Sequence, residues 1–293
     1  MQVFTSVAGL GHGTGPGHPE QVQRLAVVLE ELAAEGIDVT DAAPATIDPL
    51  LARHPLAHLR QLREAADRGA ILDPDTPAGP GSWNAVLGAT GATHAALRHV
   101  MSSGGGAFVA IRPPGHHALA AQAMGFCLVN HAAVLASSAR AEGRDRVLIV
   151  DWDVHHGNGT QAMVDNEAST RFVSMHQWPW YPGTGAADER GVGNCFNVPL
   201  GPGLPRAVYV DALWAAVVAA TTGWTPDIVI VSAGYDAMQG DPLGGFTLEP
   251  ADYATWTQRL TERFDVPIIA LMEGGYVPRR LARGVIATVQ AMA

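Results

Sequence analysis

The segment VLIVDWDVHHGNGT, residues 147–160, joins a run of apolar residues to two carboxylates and two imidazoles. Asp153 and His155 stand two residues apart, and side chains at that spacing point to the same face of an extended chain. With Asp241 from another strand, they would offer one nitrogen and two carboxylate groups to an ion. Zn²⁺ accepts such a set, and three protein ligands leave a position open for water. The spacing therefore predicts a catalytic metal site.

Three further apolar runs are each followed by polar residues of a similar kind. The run at 108–112 leads to His116 and His117, the run at 227–233 leads to Asp236 and Asp241, and the run at 266–272 leads to Tyr276. In an open parallel sheet the carboxyl ends of the strands share one edge, and ligands bind there. Residues so far apart in sequence have no local reason to share this chemistry, so together they predict an active site.

The types of these residues suggest how they would divide the work of hydrolysis. A bound metal ion would lower the pKa of water and polarise a carbonyl group. His116 and His117 are suited to the proton transfers beside that water. Asp151 and Asn158 are expected to hold the outer nitrogens of the two histidines. Tyr276 follows two glycines, so its hydroxyl can turn toward a developing oxyanion and donate a hydrogen bond to it.

The rest of the sequence predicts the scaffold of this site. Near-continuous apolar runs are typical of strands buried on both faces, and here they alternate with alanine-rich helical stretches. The predicted strands are 108–112, 147–151, 171–175, 227–233 and 266–272, and the predicted helices are 130–142, 205–223, 250–264 and 278–292. This order predicts an α/β fold with one open, mostly parallel β-sheet flanked by helices, in which residues 1–293 form a single domain.

The N-terminal third has a weaker pattern. A helix is expected to start at Pro19, since proline favours the first helical turn, and to end at Gly36. The segment 73–82, DPDTPAGPGS, is rich in proline and glycine, and it is predicted to be a loop.

Composition and net charge indicate what class of protein this is and which kinds of partner it can bind. Hydrophobic residues make up 47% of the chain and charged residues 16%, which is typical of a folded globular protein. A net charge of -10 argues against a nucleic-acid surface, which needs a basic face. Cys127 and Cys195 lie far apart in apolar contexts, which favours a reducing compartment. We recognise no signal peptide or membrane-spanning stretch, and we expect a cytoplasmic protein.

Six motifs occur in an order that resembles one known superfamily. They are RPPGHH, MGFCLVN, DWDVHHGNGTQ, SMHQ followed by YPGTG, SAGYDAMQGDPLGG, and EGGY. In these motifs the chain resembles the histone deacetylase and acetylpolyamine amidohydrolase superfamily, and HHGNGTQ and GDPLGG resemble its class II branch. The resemblance implies the arginase/deacetylase fold.

The resemblance also implies roles for the residues of the site. The implied zinc ligands are Asp153, His155 and Asp241. His117 would be the general base and acid, with His116 as its electrostatic partner. Tyr276 would polarise the substrate carbonyl.

The substrate contacts come from the same resemblance, which implies a narrow tunnel for an acyl-lysine-like chain. The implied lining residues are Gly125, Phe126 and Gly275, with His176 or Trp178 as the second wall. Leu248 falls where the family closes the acyl pocket, and Asp75 falls where a rim residue binds the substrate amide. A structural K⁺ is implied as well, held by Asp151, by the backbone of Asp153 and His155, and by Ser174 with Met175.

Departures from the family pattern bear on the substrate. The usual HPERPxR reads HPEQVQR here, which leaves Arg24 alone of a basic pair. Leu248 is apolar where a polyamine specialist would be expected to carry a carboxylate. We therefore expect a zinc-dependent amidohydrolase that removes acetyl or other acyl groups from N-acyl amines such as acetyl-lysine in proteins and peptides. An acetylpolyamine or another small N-acyl amine is the alternative substrate.

Two other functions are weaker alternatives. An arginase-type ureohydrolase would hold two manganese ions with D-x-H-x-D, and Gly157 stands at the last of these positions. An inactive acyl-lysine binder would be expected to lack a metal ligand, a tandem histidine or the tyrosine, and all of these are present. The expected partner is an acylated amine, with no nucleic acid and no membrane, and the oligomeric state stays open.

Overall fold

Eight strands form one open sheet in the computed structural model, which describes residues 1–293. All pairings between neighbouring strands of this sheet are parallel. The strands are β1 (Gln2–Thr5), β2 (Val39–Asp41), β5 (Gly106–Ala110), β6 (Val147–Asp151), β7 (Thr170–Gln177), β8 (Cys195–Leu200), β9 (Ile228–Ala233) and β10 (Ile268–Met272). A separate antiparallel hairpin pairs β3 (Ala70–Asp73) with β4 (Thr76–Ala78).

Helices cover both faces of the large sheet. They are α1 (Gln23–Ala34), α2 (Leu56–Arg68), α3 (Ser82–Ser103), α4 (His131–Ala141), α5 (Asn158–Val164), α6 (Arg206–Ala220), α7 (Pro250–Arg263) and α8 (Pro278–Ala291). Two short 3-10 helices span Val7–Gly11 and Asp48–Ala52. None of the helices has both the length and the hydropathy needed to cross a membrane.

The two faces of the sheet pack into two separate hydrophobic cores. Along β6, Leu148 and Val150 belong to the larger core cluster, whereas Val147 and Ile149 belong to the second. This alternation follows from the two-residue repeat of a strand, and both faces are apolar because helices cover both. Helices α1, α6, α7 and α8 contribute to the larger cluster, and α3 and α4 contribute to the second.

The strand order brings the predicted chemistry to the middle of the sheet. Across the sheet the order is β2-β1-β5-β10-β9-β6-β7-β8. The four strands that lead into the histidines, aspartates and tyrosine are β5, β10, β9 and β6, and they are consecutive neighbours. Because these strands are parallel, the segments that follow them converge at one edge.

The predicted parallel sheet flanked by helices is confirmed, and the differences concern local elements. The sequence pattern did not reveal the strands β1, β2, β3, β4 and β8 or the helices α2, α3 and α5. Helix α1 begins at Gln23 rather than at Pro19, since Glu20 turns into the core to bind Arg112 and Arg24. The segment 73–82, predicted to be a loop, contains β4 and the first residue of α3.

Candidate active site

Two adjacent histidines follow β5 and lie at the centre of the site. The rings of His116 and His117 are buried, and their centroids are 4.0 Å apart. Nδ1 of His116 lies 3.0 Å from Oδ2 of Asp151, the last residue of β6. Nδ1 of His117 lies 2.7 Å from Oδ1 of Asn158, the first residue of α5. Each outer nitrogen therefore has the polar partner that the sequence suggested.

The two histidines differ in their electrostatic surroundings. Burial lowers the pKa of His116, but the carboxylates of Asp153 and Asp151 outweigh burial and raise this pKa well above its usual value. Burial lowers the pKa of His117 well below its usual value, and the charges of the neighbouring histidines lower it further. At neutral pH His117 is therefore uncharged. Because the Asn158 oxygen only accepts, Nδ1 of His117 carries the proton and Nε2 keeps a lone pair.

A second group of potential ligand atoms lies beside the histidine pair. Nδ1 of His155 is 3.1 Å from Oδ1 of Asp153 and 3.2 Å from Oδ2 of Asp236. The ligand atoms of these three residues all lie within 4.8 Å of one another. Oδ1 of Asp236 accepts the N–H of Val154 at 2.8 Å, which leaves Oδ2 to face the imidazole.

The predicted third zinc ligand, Asp241, is not part of this close group. Its Oδ1 accepts the N–H of Leu243 at 3.0 Å, and its Oδ2 accepts that of Tyr276 at 2.7 Å. These bonds fix the carboxylate at the same edge of the sheet, while each oxygen retains a lone pair for another partner. The site therefore offers both Asp236 and Asp241 as a third ligand.

The charge of the site fits a divalent cation. Five carboxylates are buried at this edge, namely Asp151, Asp153, Asp236, Asp241 and Glu273. Burial raises the pKa of Asp236 to about 7, and the negative charge of Asp153 adds to the rise. Buried carboxylates are costly without compensating positive charge, and an imidazole nitrogen with carboxylate oxygens is a donor set that Zn²⁺ accepts. The residues present therefore fit a zinc ion.

Tyr276 ends the short segment after β10, and its ring is held on two sides. The ring of Phe126 meets it edge to face, with centroids 5.7 Å apart. The guanidinium of Arg24 lies 5.0 Å from the ring centroid, and its Nε donates to the carbonyl oxygen of Gly275 at 2.7 Å. Burial raises the pKa of Tyr276 well above its usual value, with the charge of Asp236 adding to it. The hydroxyl therefore keeps its proton and can donate to an oxyanion.

Arg24 is itself fixed by a buried ion-pair network behind the site. Glu20 accepts hydrogen bonds from Arg24 and Arg112, and all three side chains are fully buried. Burial raises the pKa of Glu20, but the two arginines outweigh it and lower this pKa to about 2. The carboxylate therefore stays charged, and it anchors the arginine that contacts the Tyr276 ring.

A pocket of about 230 Å³ opens onto these residues. Its buried lining residues are His117, Gly125, His155 and Tyr276, and its more exposed lining residues are Asp75, Phe126, Trp180, Tyr181 and Leu243. The ring of Tyr181 is perpendicular to that of His117, with centroids 5.1 Å apart. Phe126 and Tyr181 therefore provide aromatic walls on the way to the buried histidines.

The pocket wall at residue 125 has room only for glycine. Gly125 has a φ of +55°, and a Cβ there would overlap the ring of His117. Phe126 also has a positive φ, of +68°, which is uncommon for a residue with a side chain. Its N–H donates to Oγ1 of Thr76 at 3.0 Å, so the β4 hairpin fixes the aromatic wall from outside.

The residue that forms the second wall of the pocket differs from the two that the sequence predicted. His176 is fully buried, with Nε2 2.9 Å from the carbonyl oxygen of Gly185, so it does not line the pocket. Trp178 does not line it either. Tyr181 takes this place, because the loop after β7 continues for several residues before it returns over the site.

The acyl-pocket prediction is also corrected. Leu248 is fully buried in the larger core cluster and is not a lining residue, whereas Leu243 faces the pocket. Gly275 does not line the pocket, and its carbonyl oxygen binds Arg24 instead. Asp75 does lie at the pocket, as the resemblance implied.

Sequence reasoning missed Tyr181 and Leu243 as lining residues. The only signal was the aromatic cluster WPWYP at 178–182, which does not show which ring faces the substrate. Nε1 of Trp180 donates to the carbonyl oxygen of Leu243 at 2.9 Å, so two loops that are distant in sequence meet at the pocket.

The residues implied as K⁺ ligands lie together at the ends of β6 and β7. Asp151 pairs in register with Ser174, and Met175 follows in the same strand. Oδ1 of Asp151 accepts the N–H of Asp153 at 3.1 Å, and Oγ of Ser174 lies 3.1 Å from Nδ1 of His176.

Comparisons with known proteins identify the family of this chain. The family model of the histone deacetylase domain matches residues 18–292. The chain is 40% identical to an uncharacterised protein of Synechocystis sp., covering 100% of this chain and 99% of that protein. It is 34% identical to a histone deacetylase-like amidohydrolase of Pseudomonas aeruginosa, covering 92% of this chain and 73% of that protein.

A solved structure extends the agreement to the fold. The crystal structure of the HDA15 HD domain matches with a TM-score of 0.95 at 34% identity, covering 100% of this chain and 90% of that one. The resemblance inferred from the six motifs is thereby confirmed. A family model that matches nearly the whole chain, together with a solved structure of the same fold, shows that this protein belongs to the histone deacetylase family.

Proposed function

We propose that this protein is a zinc-dependent deacetylase that hydrolyses N-acyl amines such as acetyl-lysine in proteins and peptides. The observation that carries the proposal is one pocket lined by a neutral histidine, a protonated tyrosine and a histidine of the metal-ligand group. These groups supply, in turn, proton transfer, stabilisation of an oxyanion and metal binding, which are the requirements of amide hydrolysis. Membership of the histone deacetylase family supports the same chemistry.

We assign the zinc ligands to Asp153, His155 and Asp241, as the resemblance implies. Asp236 competes for the third place, since its Oδ2 lies 3.2 Å from Nδ1 of His155. When bound, Zn²⁺ supplies Lewis acidity, which lowers the pKa of water and polarises an acyl carbonyl.

The protein's own side chains move the protons. His117 accepts a proton at Nε2, because Nδ1 is committed to Asn158, and it then gives this proton to the leaving amine. Tyr276 donates its hydroxyl proton as a hydrogen bond to the carbonyl oxygen while negative charge develops there. His116, paired with Asp151, carries a positive charge beside the reacting atoms, which favours the oxyanion.

A structural K⁺ is part of the proposal. Its ligands would be Asp151, the backbone of Asp153 and His155, and Ser174 with Met175. A monovalent cation there would offset part of the carboxylate charge at the ends of β6 and β7, where Asp151 is fully buried.

The pocket suits a narrow aliphatic chain that ends in an amide. Phe126 and Tyr181 present apolar ring surface. Asp75 is the only residue with a carboxylate among the lining residues. Aromatic walls favour the methylene groups of an acyl-lysine side chain through burial of apolar surface. Asp75 can accept a hydrogen bond from a substrate N–H at the pocket entrance.

A small N-acyl amine, such as an acetylpolyamine, is the alternative substrate. The charge of Asp75 would attract a second ammonium group at the pocket. Leu248 argues against a dedicated polyamine enzyme, because this apolar residue is buried in the core and offers no second carboxylate.

The ureohydrolase alternative conflicts with Gly157. A Cβ at this residue would overlap Oδ2 of Asp151 and lie 3.2 Å from the ring of Phe172. The aspartate that a two-metal D-x-H-x-D site needs at this position therefore has no room, which supports a single catalytic ion.

Kinetics with purified protein test the proposal. The zinc-loaded protein is expected to hydrolyse a fluorogenic acetyl-lysine peptide, to lose this activity after treatment with a chelator, and to regain it with Zn²⁺. Acetylputrescine and acetylspermidine are measured beside the peptide, and a preference of about 100-fold, worth about 2.7 kcal/mol, would identify the substrate class. Failure of the zinc-loaded protein to release acetate from any of the three would refute the proposal.

A further inference from the structure

Glu273, the residue that follows β10, is buried and makes contacts that no catalytic role explains. Its Oε2 accepts the N–H of Gly115 at 2.6 Å and the N–H of His116 at 3.2 Å. These two N–H groups begin the tandem-histidine segment after β5. The residue is 1% exposed, so its carboxylate lies away from solvent.

The main chain of Glu273 is held as firmly as its side chain. Its N–H donates to the carbonyl oxygen of Ala233, the last residue of β9, at 3.0 Å. Its carbonyl oxygen accepts a hydrogen bond from Arg24. The carboxylate therefore has little freedom to move, and a rigid acceptor can fix the loop that it binds.

The residues that follow Glu273 fix the other half of the site. The N–H of Gly274 donates to Oδ2 of Asp153 at 2.8 Å. The N–H of Tyr276 donates to Oδ2 of Asp241 at 2.7 Å. The segment 273–276 thus includes the tyrosine and bonds to two aspartates, and through the Glu273 side chain it also bonds to the main chain of Gly115 and His116.

We propose that Glu273 is a positioning residue. By accepting hydrogen bonds from the N–H groups of Gly115 and His116, it fixes the His116–His117 pair relative to the Tyr276 segment. The inference rests on the proposed deacetylase function for its consequence in catalysis. Without this acceptor, two buried N–H groups lose their partner, which costs free energy and releases the loop. Proton transfer at His117 depends on the distance to the substrate, so a displaced loop slows turnover more than it weakens substrate binding.

The second carboxylate oxygen of Glu273, Oε1, determines which substitutions give an informative test. Oε1 is buried and has no hydrogen-bond partner, although ligand atoms of His116 and Cys127 lie close to the carboxylate. Glu273→Gln keeps one oxygen for the two N–H groups and can place its NH₂ group on the side of Oε1. Glu273→Met fills the same space but has no strong acceptor, and it is therefore the informative partner of Glu273→Gln.

Steady-state kinetics compare these variants with the wild-type protein on the acetyl-lysine peptide. Glu273→Met is expected to lower kcat by about 10- to 100-fold, with KM changed by no more than about threefold and zinc content unchanged. Glu273→Gln is expected to restore kcat to within about threefold of wild type, because it restores the acceptor. Glu167→Gln, which alters a half-buried carboxylate bonded to Arg53 and Arg140, is the matched control and should leave kcat unchanged.

Amide hydrogen exchange gives a readout that does not depend on activity. The amides of Gly115 and His116 are expected to exchange at least about tenfold faster in Glu273→Met than in wild type, and to regain protection in Glu273→Gln. If Glu273→Met does not fold, Glu273→Ala replaces it, because the smaller side chain leaves room for a water molecule to meet the N–H groups.

The outcomes separate this inference from the proposed function. Unchanged kcat and unchanged amide exchange in Glu273→Met would overturn the positioning role. A loss of kcat in Glu273→Gln as large as that in Glu273→Met would overturn it as well, since charge rather than the acceptor would then matter. If the wild-type protein hydrolyses none of the substrates, the proposed function fails, and amide exchange still decides whether Glu273 holds the histidine loop.

Discussion

The imidazole of His117 donates its Nδ1 proton to Oδ1 of Asn158 across 2.7 Å. This bond fixes the tautomer, so Nε2 is the nitrogen that can accept a proton. Burial and the charges of the neighbouring histidines lower the pKa of His117, whereas the carboxylates of Asp153 and Asp151 raise the pKa of His116. The two neighbouring histidines therefore differ in charge, because nearby carboxylates outweigh the effect of burial at His116 but not at His117.

Removal of the amide partner should impair turnover. Asn158→Ala leaves the His117 ring free to adopt the other tautomer or to rotate, and we expect kcat to fall by about 10- to 100-fold. The measurement is kcat on the acetyl-lysine peptide, with Asn166→Ala on the exposed side of the same region as the control. Unchanged kcat in Asn158→Ala would mean that this bond does not govern the base.

Loss of the Tyr276 hydroxyl should slow catalysis without unfolding the protein. The hydroxyl is the donor that we assign to the oxyanion, and Tyr276→Phe is expected to lower kcat by about 100- to 1000-fold. Zinc content and thermal stability should stay at wild-type values. Tyr209→Phe, which removes a hydroxyl bonded to the carbonyl oxygen of Gly201, is the control. Persistent activity in Tyr276→Phe would contradict the assigned role.

The pocket wall predicts an effect on substrate recognition. Tyr181→Ala removes an aromatic wall, and we expect kcat/KM for the acetyl-lysine peptide to fall by about tenfold or more, whereas Tyr181→Phe should retain most of it. His176→Gln alters a buried residue that lies outside the pocket, so it should affect thermal stability and leave KM unchanged. If KM changed in His176→Gln and stayed at the wild-type value in Tyr181→Ala, the assignment of Tyr181 to the pocket wall would be refuted.

Acid should destabilise the folded protein through His54. This side chain is buried, with Nδ1 3.0 Å from the carbonyl oxygen of Ala120 and Nε2 accepting from the N–H of Asn130. Burial lowers its pKa from 6.5 to about 4. Because the unfolded chain binds the proton more readily, the stabilising contribution is complete above pH 6.5 and is lost as pH falls toward about 4.

Urea unfolding at several pH values checks this expectation. Each unit of pKa shift corresponds to about 1.4 kcal/mol, so His54 accounts for an acid-induced loss on the order of 3 kcal/mol. His54→Gln should unfold with a shallower dependence on pH than wild type, whereas His99→Gln should not. Identical slopes for wild type and His54→Gln would show that His54 does not cause the acid sensitivity.

Much of the scaffold could be predicted because its strands are buried on both faces. The runs at 147–151 and 228–233 are apolar at nearly every residue, which is the pattern of a central parallel strand. Strand β8 is an edge strand with a half-exposed pattern, and β1 has only four residues. Helix α3 contains glycine and threonine, which weaken the helical signal although packing holds the helix in place.

The site was predictable where the chemistry follows a strand end directly. The pairs His116–Asp151 and His117–Asn158 follow from residues next to β5, β6 and α5. Tyr181 and Leu243 lie in two loops that are distant in sequence and that are joined by the hydrogen bond between Trp180 and Leu243. No local sequence pattern therefore marks them as lining residues. The role of Glu273 depends on a hydrogen bond across 158 positions of sequence, which spacing alone does not reveal.

Zinc stoichiometry tests the central claim most directly. Purified wild-type protein, loaded with Zn²⁺ and dialysed, is expected to retain about one ion per chain by inductively coupled plasma mass spectrometry. Asp153→Asn and Asp241→Asn should lose the ion, and Asp236→Asn should keep it. Loss in Asp236→Asn with retention in Asp241→Asn would reassign the third ligand, while a wild-type protein that retains no zinc, or an Asp153→Asn variant that binds it equally well, would contradict the account.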